Sequence, residues 1–154
     1  INDPLFYPII ERFIDLKMVI LMHVGIGKSR ITYDAREPEN VSIPSDFVEV
    51  AKRYPEMMLQ FAHLGGGEDW EDAVKALKHS PNVYVDVSGS NNDAAIIDFA
   101  MENLGEDRIL FGCDNSFYQG VGHVFAAKLT PQQRQKIFFE NYNNILKKSG
   151  NHVN

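Results

Sequence analysis

The sequence predicts an α/β fold in which parallel strands alternate with helices. Four short runs are apolar at nearly every position, as in strands that are buried on both faces. Segments with a helical spacing of apolar residues separate these runs, and glycines follow several of them. Apolar strands that alternate with helices indicate a parallel sheet rather than a set of hairpins.

The first half of the chain predicts two helices and two strands around a long loop. Asp3-Pro4 and Ser45-Asp46 are typical of helix starts. Segment 28–44 has no periodicity, and loops of this length are often functional. The predicted elements are a helix over 5–16, strands over 18–22 and 57–62, and a helix that begins at 45.

The second half of the chain continues the alternation. Trp70, Val74 and Leu77 share one helical face, and Thr130-Pro131 is typical of a helix start. The predicted elements are helices over 69–79, 92–104 and 131–148 and strands over 83–87 and 109–111. The order α-β-α-β-α-β-α-β-α fits either an open doubly wound sheet or part of a (β/α)8 barrel.

Composition and charge exclude several classes of partner. The 154 residues carry a net charge of −6, so we expect one domain over 1–154 and no nucleic-acid or membrane-surface partner. No apolar run is long enough to span a bilayer, and no export signal is visible. The single cysteine excludes an internal disulfide, which favours a cytoplasmic protein.

Three potential metal ligands or proton carriers follow predicted strands. His23, His63 and Asp114 come directly after apolar runs, where parallel α/β folds build their sites. Imidazole and carboxylate groups suit zinc, manganese or iron, and a metal can lower the pKa of bound water to about 7. Each residue also has a structural interpretation, as a satisfied histidine or a loop-capping aspartate.

Other polar residues are weaker candidates. Arg30, in the long loop, could contact a substrate carboxylate, although a plain surface position is the favoured interpretation. His123 is predicted in the loop after Asp114, where it could line the site. Asp86 lies inside an alternating strand and is predicted to be a structural partner for a neighbouring loop.

Four stretches resemble the amidohydrolase 2 branch of the amidohydrolase superfamily, which includes decarboxylases and lactonases. They are VILMHVG at 19–25, FAHLGG at 61–66, NVYVDVSG at 82–89 and DRILFGCD at 107–114. The closing segment 137–146, with Asn141, is similar to the last helix of that family. Cys113 departs from it, because a serine or threonine usually stands before the aspartate.

The resemblance implies the C-terminal half of a TIM barrel, strands five to eight. It implies that His23 and Asp114 bind a divalent metal such as zinc, with manganese or iron as alternatives. It further implies that Asp114 moves a proton and that His63 assists catalysis. The activity implied is metal-dependent hydrolysis, or alternatively decarboxylation, of a small carboxylated or cyclic substrate.

One feature of that family is absent from this sequence. The strand-one His-x-His pair, which supplies two metal ligands, does not occur here. We therefore expect a fragment of a chain of about 300 residues, or a natural half-barrel. Four strands would leave two open edges and an uncovered inner face, so a homo-oligomer or pairing with a missing N-terminal half is expected. A non-catalytic assembly or binding subunit remains an alternative.

Overall fold

Four parallel strands form one sheet in sequence order. The computed structural model describes residues 1–24, 42–64, 70–89, 91, 93, 95–151 and 153. The strands are β1 (Val19–His23), β2 (Met58–Ala62), β3 (Val83–Asp86) and β4 (Ile109–Leu110), in the spatial order β1-β2-β3-β4. All three pairings are parallel, with Val19 opposite Met58, Leu59 opposite Val83 and Val85 opposite Ile109. The predicted parallel α/β fold is confirmed.

Helices connect the strands and extend beyond the last one. A 3-10 turn over Pro4–Phe6, capped by the Asp3 side chain, leads into the first helix. The helices are α1 (Tyr7–Asp15), α2 (Pro44–Arg53), α3 (Trp70–Leu77), α4 (Ala95–Leu104), α5 (Phe117–Ala126), α6 (Pro131–Gln135) and α7 (Asn141–Ser149). A π-helical segment, Lys136–Glu140, joins α6 to α7. The capping box of Thr130 and Gln133 explains why α6 begins at Pro131.

Two predictions about these helices were wrong. The segment after Asp114 was predicted as a loop, but α5 lies between β4 and the closing helices. The closing segment was predicted as one regular helix, but the π-helical segment interrupts it. The predicted long loop over 28–44 lies mostly outside the described residues.

The sheet separates two apolar layers, because side chains alternate between its faces. Leu59, Phe61 and Val85 lie in the large core that includes helix residues such as Phe47 and Ile97. On the opposite, inner face lies a smaller cluster. Its members are Met58, Leu110 and Ile145, with Val19 and Tyr84 packed against them. Ile145 of α7 therefore covers part of the inner face.

The closing helices also cover the outer edge of β4. The carbonyls of Arg108 and Leu110 accept hydrogen bonds from the N–H groups of Val85 and Val87. The backbone N–H and C=O groups of the alternate residues in this strand therefore face the other way. The Phe111 N–H donates to the Ile137 carbonyl (3.0 Å). The Asn141 side chain donates to the carbonyls of Ile109 (2.8 Å) and Glu106 (2.7 Å). The expectation of a fully open edge and inner face was therefore wrong at β4.

Among the residues that the structure describes, none of the helices has both the length and the apolar character needed to cross a membrane.

Candidate active site

Two of the predicted site residues meet at the carboxyl ends of neighbouring strands. His23 is the last residue of β1 and lies opposite Ala62, while His63 directly follows β2. Their rings contact edge to face, with centroids 4.7 Å apart and planes at 68°. His23 is exposed and His63 is half-buried. The strand register therefore brings both imidazoles to one point on the edge of the sheet.

The backbone of His63 adopts a conformation that non-glycine residues rarely take. Its φ is 70°, in the left-handed region, where a residue of this kind costs on the order of 1–3 kcal/mol. Asp86 of β3 holds it there, because the His63 N–H donates to Asp86 Oδ1 (3.2 Å) and the Leu64 N–H donates to the Asp86 carbonyl (3.0 Å). The chain thus turns sharply away from β2 at this histidine.

The Asp86 carboxylate is buried and accepts from several groups. Asp86 is only 3% exposed. Oδ2 accepts from Gln60 Nε2 (2.9 Å), and Oδ1 accepts from the Ser88 N–H (3.1 Å) as well as from His63. Ser88 Oγ contacts the same Oδ1. The prediction that Asp86 is a structural partner for a neighbouring loop is confirmed.

Ser88 connects this carboxylate to the ring of His63. Its Oγ lies 2.8 Å from His63 Nδ1 while also contacting Asp86 Oδ1. Ser88 was not singled out in the sequence. The Asp-x-Ser spacing after a strand was the available signal, because serine hydroxyls commonly bond to groups two residues away.

Asp114 lies in a tight turn beyond β4. The Ser116 N–H donates to the Cys113 carbonyl (2.7 Å), and the two residues between them, Asp114 and Asn115, have φ values of 43° and 64°. Aspartate and asparagine tolerate such values better than most residues, so the turn itself favours these types. The Asp114 side chain is exposed at the same edge of the sheet as the two histidines.

His123 is placed in α5 rather than in a loop, which corrects the prediction about its position. It is buried (6% exposed), and its Nε2 donates to the Asp93 carbonyl (2.9 Å). His123, Ser88 and Cys113 line a small cavity of about 10 Å³. The position therefore suits a structural histidine, and its contact with substrate stays a prediction.

The donor set fits part of a metal site. His23 and Asp114 present an exposed imidazole and carboxylate, which are ligand types that zinc and manganese accept. Within the described part of the chain, no group of three or more His, Cys, Asp or Glu side chains could hold a metal ion. Arg30, the other predicted substrate contact, lies outside the described residues.

Solved structures with this fold are TIM-barrel proteins. An uncharacterized TIM-barrel protein from Bordetella bronchiseptica has a TM-score of 0.74 at 18% identity and covers 97% of this chain. An amidohydrolase from Burkholderia multivorans with bound zinc has a TM-score of 0.69 at 15% identity and covers 95%. A dihydroxybenzoic acid decarboxylase from Polaromonas, with bound manganese and the inhibitor 2-nitroresorcinol, has a TM-score of 0.65 at 18% identity and covers 95%.

The chain spans 52%, 58% and 55% of these three proteins, respectively, which confirms the predicted half-barrel. No curated protein matches it at a significant level. The Amidohydrolase family model matches residues 1–141, which include β1 to β4 and all three residues predicted to bind metal or carry protons. The chain therefore belongs to the amidohydrolase 2 family.

Proposed function

We propose that this chain forms one half of a metal-dependent active site that hydrolyses or decarboxylates a small carboxylated or cyclic substrate. The observation that carries the proposal is the edge-to-face pair of His23 and His63 at the ends of adjacent strands. TIM-barrel enzymes hold their catalytic groups at this end of the strands. The decarboxylase and zinc-bound amidohydrolase that share the fold support both the reaction classes and a divalent metal.

Each residue has a proposed role. His23 and Asp114 would hold the metal, with further ligands from elsewhere in the barrel, and a bound divalent ion supplies Lewis acidity there. Asp114 accepts or returns a proton at its carboxylate. His63 stabilises the negative charge that develops on the substrate. Zinc is the first candidate for the metal, and manganese and iron are the alternatives.

Metal content of the full-length protein tests the ligand assignment. We expect about one equivalent of metal per chain by elemental mass spectrometry, lost in His23→Ala and Asp114→Asn. His79→Ala is the matched control, because His79 is an exposed histidine in the turn after α3, at the opposite end of the strands. Unchanged metal in His23→Ala would contradict the assignment of that ligand.

Turnover tests the catalytic roles. Dihydroxybenzoic acids, assayed for CO₂ release, and small lactones, assayed for hydrolysis, separate the two reaction classes. We expect His63→Ala and Asp114→Asn to lower kcat by about 100-fold or more. A positioned proton-transfer group contributes about 10²–10⁴-fold, and a positioned donor at a developing negative charge contributes about 10²–10³-fold. Intact turnover in either variant would show that its role is wrong.

A non-catalytic binding or assembly subunit is the second candidate. It is favoured by the described residues, which offer fewer than three clustered ligands. A full-length protein without stoichiometric metal would support it, whereas metal that depends on His23 would exclude it. The cytoplasmic location and a homo-oligomeric state remain predictions.

A further inference from the structure

We infer that Ser88 and Asp86 are positioning residues that hold His63 in one tautomer. The inference concerns three groups in a chain: Asp86 Oδ1, Ser88 Oγ and His63 Nδ1. Its geometry is independent of the proposed function, whereas its catalytic meaning rests on that function.

The donors around Asp86 determine the direction of these hydrogen bonds. Three partners of the carboxylate, namely the N–H groups of His63 and Ser88 and the Gln60 amide nitrogen, can only donate. Asp86 therefore needs no proton of its own to satisfy these contacts. The fourth partner, the Ser88 hydroxyl, then donates its single hydrogen to Oδ1.

The direction of the Ser88 hydroxyl hydrogen determines which nitrogen of the His63 ring carries the proton. Because its one hydrogen is directed to Asp86, Ser88 Oγ can only accept at the 2.8 Å contact with His63 Nδ1. The neutral ring of His63 must therefore carry its proton on Nδ1. Nε2 is the nitrogen left for a substrate. It accepts a proton while the ring is neutral, and it donates to the negative charge of a substrate once the ring is protonated.

Asp86 also holds the backbone of the same histidine. It accepts from the N–H of His63 through its side chain and from the N–H of Leu64 through its carbonyl, which maintains the left-handed turn. Ser88 and Asp86 are 6% and 3% exposed, so water does not compete strongly for these contacts. One buried carboxylate thus sets both the backbone and, through Ser88, the ring orientation of His63.

The assignment is tested by the tautomer of His63. The full-length protein is labelled with ¹⁵N-histidine and observed by NMR at about pH 9, where an ordinary imidazole is neutral. The His63 signals are identified by their absence in His63→Gln. We expect an Nδ1–H ring in the wild type and a shift towards Nε2–H in Ser88→Ala. An Nε2–H ring in the wild type, or the same tautomer in both proteins, would overturn the inference.

Turnover gives a second readout with a matched control. Ser88→Ala should lower kcat by about 10- to 100-fold with little change in KM, as is typical when a group that orients a site residue is lost. Ser80→Ala, at another buried serine at the opposite end of β3, should leave kcat unchanged. If kcat falls equally in both variants, a general structural effect replaces the positioning role.

The two proposals can fail separately. If His63→Ala remains fully active while the tautomer depends on Ser88, the proposed function of His63 fails and the tautomer assignment stands. If His63→Ala is inactive while Ser88→Ala keeps both the wild-type kcat and the wild-type tautomer, the positioning inference fails and the role of His63 stands.

Discussion

Gly112 provides the space in which the Asp86 carboxylate lies. A Cβ at this position would lie 2.9 Å from Asp86 Oδ1 and 3.1 Å from Ser88 Cβ, closer than ordinary contacts. The carboxylate cannot move aside at low cost, because it accepts hydrogen bonds from His63, Ser88 and Gln60. Glycine is therefore needed here for the room that it leaves rather than for its backbone freedom.

Replacement of this glycine tests the tightness of the packing. We expect Gly112→Ala to lower the free energy of unfolding by about 1–3 kcal/mol, the usual cost of overpacking. Gly122→Ala is the matched control, since nothing lies within 4 Å of its added Cβ on α5, and it should stabilise by about 0.5–1 kcal/mol. Urea denaturation of the full-length protein measures both. Equal stability of Gly112→Ala and the wild type would contradict the packing argument.

At the scale of single residues, the position of a side chain along its strand could be predicted from the sequence, but its hydrogen-bond partners could not. His23 and His63 are recognisable because apolar runs end beside them. The contact between Ser88 and His63 depends on which strands are neighbours and on their register, and neither is visible in a single segment. His123 was misplaced for a different reason, because its helix was not recognised from the sequence.

Helix α5 was missed because packing and helix propensity conflict there. A Cβ on Gly120 would lie 2.9 Å from Cys113 Cβ, so close packing against the turn after β4 requires glycine. Glycine costs about 1 kcal/mol in a helix interior relative to alanine, and Gly122 follows two residues later. The local sequence therefore argues against the helix that the tertiary contact favours.

The π-helical segment provides a hydrogen-bond acceptor for the outer edge of β4. In a regular α-helix, the Ile137 carbonyl would accept from the Asn141 N–H. Here the Asn141 N–H donates to Lys136 instead, and the Ile137 carbonyl accepts from Phe111. Side-chain periodicity contains little information about this backbone shift, so the sequence predicted one continuous helix.

Lys136 of the π-helical segment forms ion pairs with Glu106 and Asp107 in the loop before β4. Lys136 Nζ lies 2.5 Å from Glu106 Oε1 and 2.7 Å from Asp107 Oδ1. Hydrogen bonds from Lys136 and Gln133 lower the pKa of Glu106 below its usual 4.5. The bonds to Asp107 and Glu106 raise the pKa of Lys136. The ion pair between Lys136 and Glu106 therefore stabilises the folded state while both side chains are charged.

The pH dependence of unfolding tests this pair. Since the pKa of Glu106 is lowered in the folded protein, its contribution is complete above the ordinary value of 4.5 and disappears as the pH falls through the lower folded value. We expect Lys136→Met to reduce the difference in Tm between neutral and acidic pH, whereas Lys52→Met, on α2, should leave it unchanged. Parallel Tm curves for Lys136→Met and the wild type would contradict this expectation.

At the scale of the whole molecule, the described residues cover the inner face of the sheet at β4 and leave it exposed at β1. On the inner face, Met58 and Leu110 are 5% and 0% exposed beneath α7, whereas Leu21 of β1 is 57% exposed. Parallel strands are usually covered on both faces. The chain spans 52–58% of the three TIM-barrel relatives described above, so we expect the remainder of a barrel to pack against β1.

A charge on this open face tests that expectation. Leu21→Glu in the full-length protein should lower the free energy of unfolding by at least about 2 kcal/mol, because a covered leucine contributes about 1.5–3 kcal/mol and a buried carboxylate adds a further cost. Val153→Glu is the matched control, since Val153 is similarly exposed (60%) but lies in the C-terminal tail, and it should change stability by less than about 0.5 kcal/mol. If both variants unfold alike, the face beside β1 stays open to water in the complete protein, and His23 then lies at the rim of an open half-barrel. A penalty confined to Leu21 would place His23 inside a closed barrel, where strands from the other half can supply the missing metal ligands.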